Sequence, residues 1–343
     1  MNRKAFYFMT IIVLLLAIMG ACITSPDDDS SSAAGASNTS VTSSTPSQST
    51  SGTQSIPDDD SSKSGDISDG SSDTSSDTSS ENSSADESDQ SSDDPGVTID
   101  PGKYGNVTDA SLGADSIDSY FDNSVFVGNS IMLHYKKYVT TRRNSDSSFL
   151  GSAKFFASAS FSCYNNMQPI SGDSTHPSYQ GEKMKIEDAV AAMGVDTVYF
   201  SGMALNEVGL FGAQKSAENL ASVVDAIKAK SPNVKIVVLA NTYMVRNFNN
   251  YQNLHNGSIS EYNNLLLEYC NENGYDFVDI STSLVSDGCL ADKFCTDNVE
   301  GGSGCHLTKD AYAIWTSVLR DYAKAKQNST YSNPDSMPLY SRN

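Results

Sequence analysis

Between residues 107 and 327 the apolar residues follow two alternating patterns. Five short runs rich in Val, Ile, Phe and Tyr have the length and composition of buried strands. They cover residues 125–127, 154–157, 197–200, 235–239 and 277–280. Between or after these runs, apolar residues recur at helical spacing over residues 131–139, 182–193, 213–230, 258–273 and 308–325. Strands that alternate with helices predict an α/β fold, a doubly wound parallel sheet with helices on both faces.

The amino terminus has the pattern of an export signal. Two basic residues at positions 3 and 4 precede an apolar run over residues 5–19, which suits a signal peptide better than a stable membrane span. The run ends in Met19-Gly20-Ala21-Cys22, which resembles the lipobox of bacterial lipoproteins, although leucine is more usual where Met19 stands. That resemblance implies a signal peptide over residues 1–21 and lipid attached to the Cys22 thiol. An ordinary secretory signal and an uncleaved anchor are the alternatives. We expect a protein held by lipid on the extracellular face of the cell membrane.

The next segment, residues 22–105, consists mostly of Ser, Asp, Thr and Gly. Such a composition cannot bury enough apolar surface to offset the entropy of ordering, so it predicts a disordered linker. Residues 26–100 contain 17 acidic residues and one lysine, which accounts for −16 of the chain's net charge of −20. The acidity therefore belongs to the linker. We expect one folded domain over residues 106–327, followed by a flexible tail over residues 328–343.

The residue types also limit the partners and cofactors. The predicted domain has no basic stripe, so we do not expect it to bind nucleic acid. Five cysteines besides Cys22 form no Cys-x-x-Cys pair, and the chain has only four histidines. We therefore expect neither a metal site nor another cofactor. A disulfide is possible outside the cell, but its connectivity and the oligomeric state stay open.

A candidate for chemistry lies at the end of the first predicted strand. The strand leads directly into Gly128-Asn129-Ser130, and a helix follows. Ligands of open α/β sheets bind at the carboxyl ends of strands, where helix N–H groups stabilise negative charge. A serine at such a turn is also a common helix N-cap. As a nucleophile it would need a base and donors to an oxyanion, which Asn206 and His306, after later strands, could supply.

Three segments in this order resemble the sequence blocks of the SGNH/GDSL hydrolases. Residues 127–131 are similar to the Gly-Asp-Ser-Leu block, residues 201–207 to the Gly-x-Asn-Asp block, and residues 304–308 to the Asp-x-x-His block. The resemblance covers about residues 120–323. It implies the flavodoxin-like SGNH hydrolase fold, with a five-stranded parallel sheet in three α/β/α layers, and the activity of a carboxylic ester hydrolase.

The same resemblance implies roles for single residues. Ser130 would be the nucleophile and would donate its backbone N–H to the oxyanion hole. The side-chain amide of Asn206 would donate to the same oxygen. His306 would deprotonate Ser130 and later protonate the leaving alcohol. The region after the second strand lacks the family's glycine, and Ser160 is our match for its N–H donor.

The chain departs from the family pattern at two important positions. Asn129 stands where aspartate is usual, and Ser303 replaces the aspartate three residues before His306. Asp297 or Glu300 could orient His306 instead, because three nearby glycines make the loop pliable. Otherwise a backbone carbonyl would orient the imidazole, and the enzyme would work as a Ser-His dyad.

We therefore expect a surface-anchored esterase that removes O-acetyl groups from a glycan, such as an acylated polysaccharide or a cell-wall polymer. The choice of a glycan rests on family analogy alone. An O-acyltransferase is one alternative. The other is a catalytically weak or inactive module that binds a glycan or peptide.

Overall fold

The computed structural model describes residues 101–201, 205–249 and 253–341. The predicted signal peptide, the lipid site at Cys22 and nearly all of the predicted linker lie outside these ranges. Within them, no helix is both long enough and apolar enough to cross a membrane.

Five parallel strands form the central sheet in the order β2-β1-β3-β4-β5. The strands are β1 Ser124–Gly128, β2 Lys154–Ala157, β3 Thr197–Ser201, β4 Lys235–Leu239 and β5 Asp276–Val278. All five match predicted strands, and the flavodoxin-like doubly wound fold is confirmed. Because β1 lies between β2 and β3, the loops that follow these three strands meet at one edge of the sheet.

Five helices of eight or more residues cover the two faces of this sheet. They are α1 Ser130–Ser145, α2 Ile186–Met193, α3 Leu205–Lys230, α4 Asn256–Asn273 and α5 Lys309–Gln327. A kink at Gly212, whose φ is 80°, interrupts α3. Because the backbone angles of Gly212 are not helical, α3 consists of two helical segments. The second begins at residue 213, where the predicted helix begins, and the first, from Leu205, was not predicted.

Smaller elements connect the main ones. The short helix Cys163–Met167 follows β2, and two hairpins pair Ser178–Tyr179 with Glu182–Lys183 and Val285–Ser286 with Cys289–Leu290. Short 3₁₀ helices span Pro101–Tyr104, Asp109–Ser111, Ser116–Phe121, Arg246–Phe248, Thr282–Leu284 and Asp292–Phe294.

The first hairpin corrects the helix predicted over residues 182–193, since only residues 186–193 are helical. Its turn residues Gln180 and Gly181 have φ values of 52° and 89°. Two consecutive positive φ values are typical of the tight two-residue turns of β-hairpins. The Gln-Gly pair was a local signal for this turn.

Two apolar clusters pack on opposite faces of the sheet. Phe126 points to the side of α1 and α5, whereas Val125 and Val127 point to the side of α2, α3 and α4. On the first face, the rings of Phe126 and Tyr199 stack with centroids 4.5 Å apart. The alternation along β1 shows why a strand covered by helices on both faces is apolar throughout.

Both ends of the described chain correct the predicted domain limits. The segment after α5 is packed on the domain: the Asn333 side chain accepts from Phe277 N–H at 2.7 Å, and the Tyr331 hydroxyl donates to the Phe277 carbonyl. These bonds satisfy backbone groups of the edge strand β5, which would otherwise stay unpaired. A flexible tail is therefore wrong for residues 328–341. At the other end, Tyr104 is buried and its hydroxyl donates to Asp321 at 2.8 Å, so order begins before residue 106.

Among the described residues, no disulfide links Cys289, Cys295 and Cys305, which lie near one another in the sequence.

Candidate active site

The turn from β1 to α1 is shaped by its glycine and its asparagine. A Cβ atom on Gly128 would lie 2.5 Å from the Cβ of Met132, so the close approach of strand and helix requires glycine. Asn129 is the N-cap of α1, and its Oδ1 accepts from Ile131 N–H at 3.0 Å. Ser130 is therefore the first helical residue and does not cap the helix. Its hydroxyl is free for another function.

Three side chains from distant parts of the sequence form a continuous hydrogen-bonded chain. Ser130 Oγ lies 2.9 Å from His306 Nε2. On the other side of the imidazole, His306 Nδ1 lies 2.7 Å from Asp297 Oδ2. The His306 and Asp297 side chains are 22% and 20% exposed, so solvent reaches the site but does not surround it. A hydroxyl, an imidazole and a carboxylate in this order can generate an alkoxide nucleophile at neutral pH.

Asp297 is held by donors from the loop around it. Its Oδ1 accepts from the N–H groups of Cys305 at 3.1 Å and His306 at 3.0 Å, and from the Cys295 thiol at 3.1 Å. Its Oδ2 accepts from Ser303 N–H at 3.0 Å. Ser303 thus occupies the family's aspartate position and contributes only its backbone.

These donors determine the charge of the carboxylate. Burial acts to raise the pKa of Asp297, but the bonds from His306, from Cys295 and from the backbone outweigh it and hold the pKa well below its usual value. Burial, together with the neighbouring Asp297 carboxylate, raises the pKa of Cys295 to about 12. Asp297 is therefore anionic beside a protonated thiol. Sequence reasoning missed Cys295, because no local pattern relates a thiol to a carboxylate two residues later.

Close backbone contacts fix the shape of the Asp297 loop. A Cβ on Gly302 would lie 2.0 Å from the Asp297 carbonyl oxygen, so no other residue fits there. Gly301 and Gly304 have φ values of 79° and 63°, in the left-handed region that favours glycine. Glu300, the other predicted acid, is exposed and makes no hydrogen bond to His306 within the described ranges. The structure therefore brings Asp297, and not Glu300, to the imidazole.

Two backbone N–H groups are candidates for the oxyanion hole. Ser130 presents its N–H at the start of α1, where the helix dipole also favours negative charge. Ser160 follows β2, and its loop is fastened to β1 because Ser158 N–H donates to the Gly128 carbonyl at 3.3 Å. The φ of Ser160 is 56°, so this serine adopts the backbone conformation expected of the glycine that it replaces.

The third predicted donor, Asn206, is the second residue of α3. Its side chain and residues 202–204 lie outside the described part of the structure, so its amide remains a prediction. The next residue, Glu207, is buried and accepts from the Asn219 amide at 2.6 Å and from Tyr164 N–H at 3.3 Å. Burial raises the pKa of Glu207. These bonds anchor the start of α3 to the short helix that follows β2.

A second histidine lies against the first. The ring of His134, one turn after Ser130 on α1, has its centroid 5.0 Å from that of His306. Burial, and then the charge of His306, lower the pKa of His134. His134 contacts the site but makes no hydrogen bond to Ser130 within the described residues.

One group of side chains in the described ranges has the spacing of a metal site. Potential ligand atoms of Asp297, Cys305 and His306 lie within 4.8 Å of one another. The Asp297 carboxylate and the His306 imidazole already bond to each other, so a metal here would separate them.

Two clefts lie beside the three hydrogen-bonded side chains. A cleft of about 640 Å³ extends from Ser160 and Leu205, between the loops after β2 and β3, to Tyr164 and Phe211. A second cleft, of about 380 Å³, begins at His134 on the His306 side. A third, of about 720 Å³, lies at the opposite edge of the sheet, where β1 and β2 begin, and is remote from Ser130.

Comparison with known proteins identifies the family. The sequence model of the GDSL-like lipase/acylhydrolase family matches residues 126–314, more than half of the chain. No curated protein matches. A GDSL-like lipase from Bacteroides thetaiotaomicron VPI-5482 is similar in structure, at 14% identity over 64% of this chain and 94% of that chain, with a TM-score of 0.43. A lipase/acylhydrolase from Enterococcus faecalis shows 12% identity over 59% and 96%, with a TM-score of 0.41. A catalytic mutant of an acetylxylan esterase from Geobacillus stearothermophilus shows 14% identity over 58% and 93%, with a TM-score of 0.39. The chain belongs to the GDSL-like lipase/acylhydrolase family and is an ester hydrolase of the SGNH/GDSL type.

Proposed function

We propose that this protein removes acetyl groups from a glycan at the cell surface, with Ser130 as nucleophile. The observation that carries the proposal is the chain of hydrogen bonds from Ser130 Oγ to His306 Nε2 at 2.9 Å and from His306 Nδ1 to Asp297 Oδ2 at 2.7 Å. Each group is within hydrogen-bond distance of the next one along the proposed path of the proton.

In the first half of the reaction, His306 Nε2 takes the Ser130 proton while Oγ attacks the ester carbonyl carbon. The carbonyl oxygen becomes an oxyanion, which the N–H groups of Ser130 and Ser160 and the amide of Asn206 stabilise. One such donor contributes roughly 3 kcal/mol to transition-state stabilisation. Asp297 stabilises the imidazolium that forms and does not itself take up the proton.

His306 then returns its proton to the departing alcohol, and the acetyl group stays on Ser130 as an ester. In the second half, water attacks this acetyl-enzyme with His306 as base, and acetate leaves. Both halves use the same oxyanion donors, because each passes through a tetrahedral intermediate.

The larger of the two clefts supports a saccharide as the substrate, because its lining suits sugar units other than the one that carries the acetyl group. Tyr164 and Phe211 are 40% and 41% exposed there, with ring centroids 4.9 Å apart. Hydroxyl and amide side chains of Ser162, Asn165 and Thr175 line the same cleft. Exposed aromatic faces beside a few hydrogen-bonding groups suit a ligand with both apolar faces and hydroxyl edges, as sugars have.

The proposed location rests on the sequence of the first residues. A lipid on Cys22 would hold the enzyme at the membrane, and the acidic segment up to residue 100 would act as an extended, self-repelling tether. Replacement of Cys22 by alanine should move the protein from the membrane fraction to the medium. Retention of the variant in the membrane fraction would show that the lipid is not the anchor.

The proposed chemistry is tested with an activated ester and a covalent probe. A soluble fragment beginning at residue 101 should release acetate from p-nitrophenyl acetate, and a fluorophosphonate should label Ser130. The Ser130→Ala variant should do neither. The matched control is Ser147→Ala, which removes the hydroxyl of an exposed serine at the remote cleft and should keep both labelling and turnover.

The same experiment decides between the proposal and its alternatives. No labelling and no turnover above the Ser130→Ala background would favour an inactive binding module. Loss of the acetyl group to an added sugar alcohol, without matching acetate release, would favour an O-acyltransferase. The assembled Ser130, His306 and Asp297 favour turnover, since a module that only binds has no need of a carboxylate behind the imidazole.

A further inference from the structure

The smaller cleft, on the His306 side of Ser130, has cationic side chains at its rim. His134, Lys137 and Thr141 line it from one face of α1, as their spacing of three and four residues requires. Lys309, the first residue of α5, lines it from the other side. Lys137 and Lys309 are exposed, and neither forms an ion pair with a described residue. A third cation in the cleft, Arg142, is paired at 3.1 Å with Asp109, which also lines the cleft and whose charge it offsets.

Two lysines without an ion pair among the described residues face the same cleft, and the chain outside residues 26–100 carries a net charge of only −4. The floor of the cleft is formed by Leu307 and the rings of Tyr138 and Tyr312. An apolar floor beneath a cationic rim suits a ring that carries an anionic group.

The position of the cleft relates it to one part of the substrate. Thr296, which lines the cleft, donates its N–H to the His306 carbonyl at 2.8 Å, and the His134 ring packs on the His306 ring. In the proposed reaction His306 protonates the leaving alcohol, so the alcohol part of the ester lies on the His306 side. The alcohol part, and not the acetyl group, is therefore next to the two lysines.

We propose that this cleft binds a carboxylate or phosphate on the alcohol part of the substrate, through Lys137 and Lys309. The inference rests on the proposed function and makes it more specific: the substrate is an acetylated anionic saccharide.

Three aryl acetates, each of which loses its acetyl group from a phenolic oxygen, test the inference. They are 4-acetoxybenzoate, its neutral methyl ester, and 4-acetoxyphenyl phosphate. Lys137→Glu and Lys309→Glu should each lower the ratio of kcat/KM for the carboxylate ester to that for the methyl ester by about tenfold, mainly through KM. Lys136→Glu, the adjacent exposed lysine that does not line the cleft, should leave this ratio unchanged. The same ratio is measured for the phosphate ester. The charged ester whose ratio falls more in the two lysine variants carries the preferred anion.

An equal effect of the Lys136 variant, or an unchanged ratio in both cleft variants for both charged esters, would overturn the inference. Binding is measured separately from turnover in Ser130→Ala, by the shift of the His134 imidazole signals on addition of 4-acetoxybenzoate. A shift with the carboxylate but not with the methyl ester supports anion binding in the cleft. If the wild-type protein nevertheless hydrolyses none of the three esters, only the proposed function fails. No shift overturns the anion site itself.

Discussion

Replacement of Asp297 by asparagine tests how His306 is oriented. The Oδ1 atom of Asp297 accepts from two backbone N–H groups and a thiol, whereas Oδ2 accepts from Ser303 N–H and faces His306 Nδ1. The asparagine side chain keeps the most hydrogen bonds when its amide oxygen takes the place of Oδ1. In this orientation the amide nitrogen faces His306. An N–H there donates to Nδ1 and leaves the imidazole proton on Nε2. The atom that must accept the Ser130 proton is then already protonated.

The expected loss in kcat is about 10⁴-fold, or roughly 5.5 kcal/mol of transition-state stabilisation, as in other triads that receive the wrong tautomer. The loss of stability should be only about 1 kcal/mol, because one partly exposed N–H, that of Ser303, loses its acceptor. The assay is kcat and KM for p-nitrophenyl acetate, with urea unfolding to show that the variant is folded. Glu300→Gln, which changes the exposed acid three residues later, is the matched control and should keep wild-type kcat.

A folded Asp297→Asn variant that keeps more than roughly a tenth of wild-type kcat would refute this reasoning. The stability of the same variant gives a second readout. The pKa of Asp297 is held below its ordinary value, so its ionised form stabilises the fold above about pH 4, and this stabilisation is lost as pH falls further. The asparagine variant should lack this part of the acid dependence.

Four other substitutions test the supporting structure. Arg320→Ala should lower the free energy of unfolding by about 3–5 kcal/mol, because it leaves the buried Asp118 carboxylate without the cation that pairs with it at 2.7 Å and with only the Asp115 N–H as a donor. Lys324→Ala, at an exposed ion pair, should cost less than about 1 kcal/mol in the same urea titration. Ser160→Gly should raise that free energy by up to about 1 kcal/mol, since the φ of 56° disfavours a side chain, and should keep kcat because the N–H remains. Burial raises the pKa of Glu207, so the folded state binds its proton more tightly than the unfolded state does, and stability falls as pH rises above about 4.5. Glu207→Gln should flatten this dependence, and an unchanged slope would contradict the assignment.

Local patterns were sufficient for the strands and most of the helices. Lys154–Ala157 and Lys235–Leu239 begin and end where their apolar runs do. In Lys235–Leu239 every residue after the first is buried, and a strand covered on both faces is apolar at nearly every position. Helix α5 begins one residue after Thr308, its N-cap. The hairpin before α2 was missed because Met184 and Ile186 also fit a helical pattern. The turn at Gly181 involves only two residues and lies next to a longer segment of helical spacing.

The motifs around Ser130 and His306 are local, so the sequence alone could identify both residues as site candidates. Only the tertiary structure decided which acid supports His306. The loop folds back at Gly302, and the N–H groups of residues 303, 305 and 306 converge on Asp297. Ser130 and His306 are 176 residues apart in sequence, yet their side chains are in hydrogen-bond contact. Contacts of this kind depend on how the sheet brings its loops together, and no pattern within a single segment contains that information.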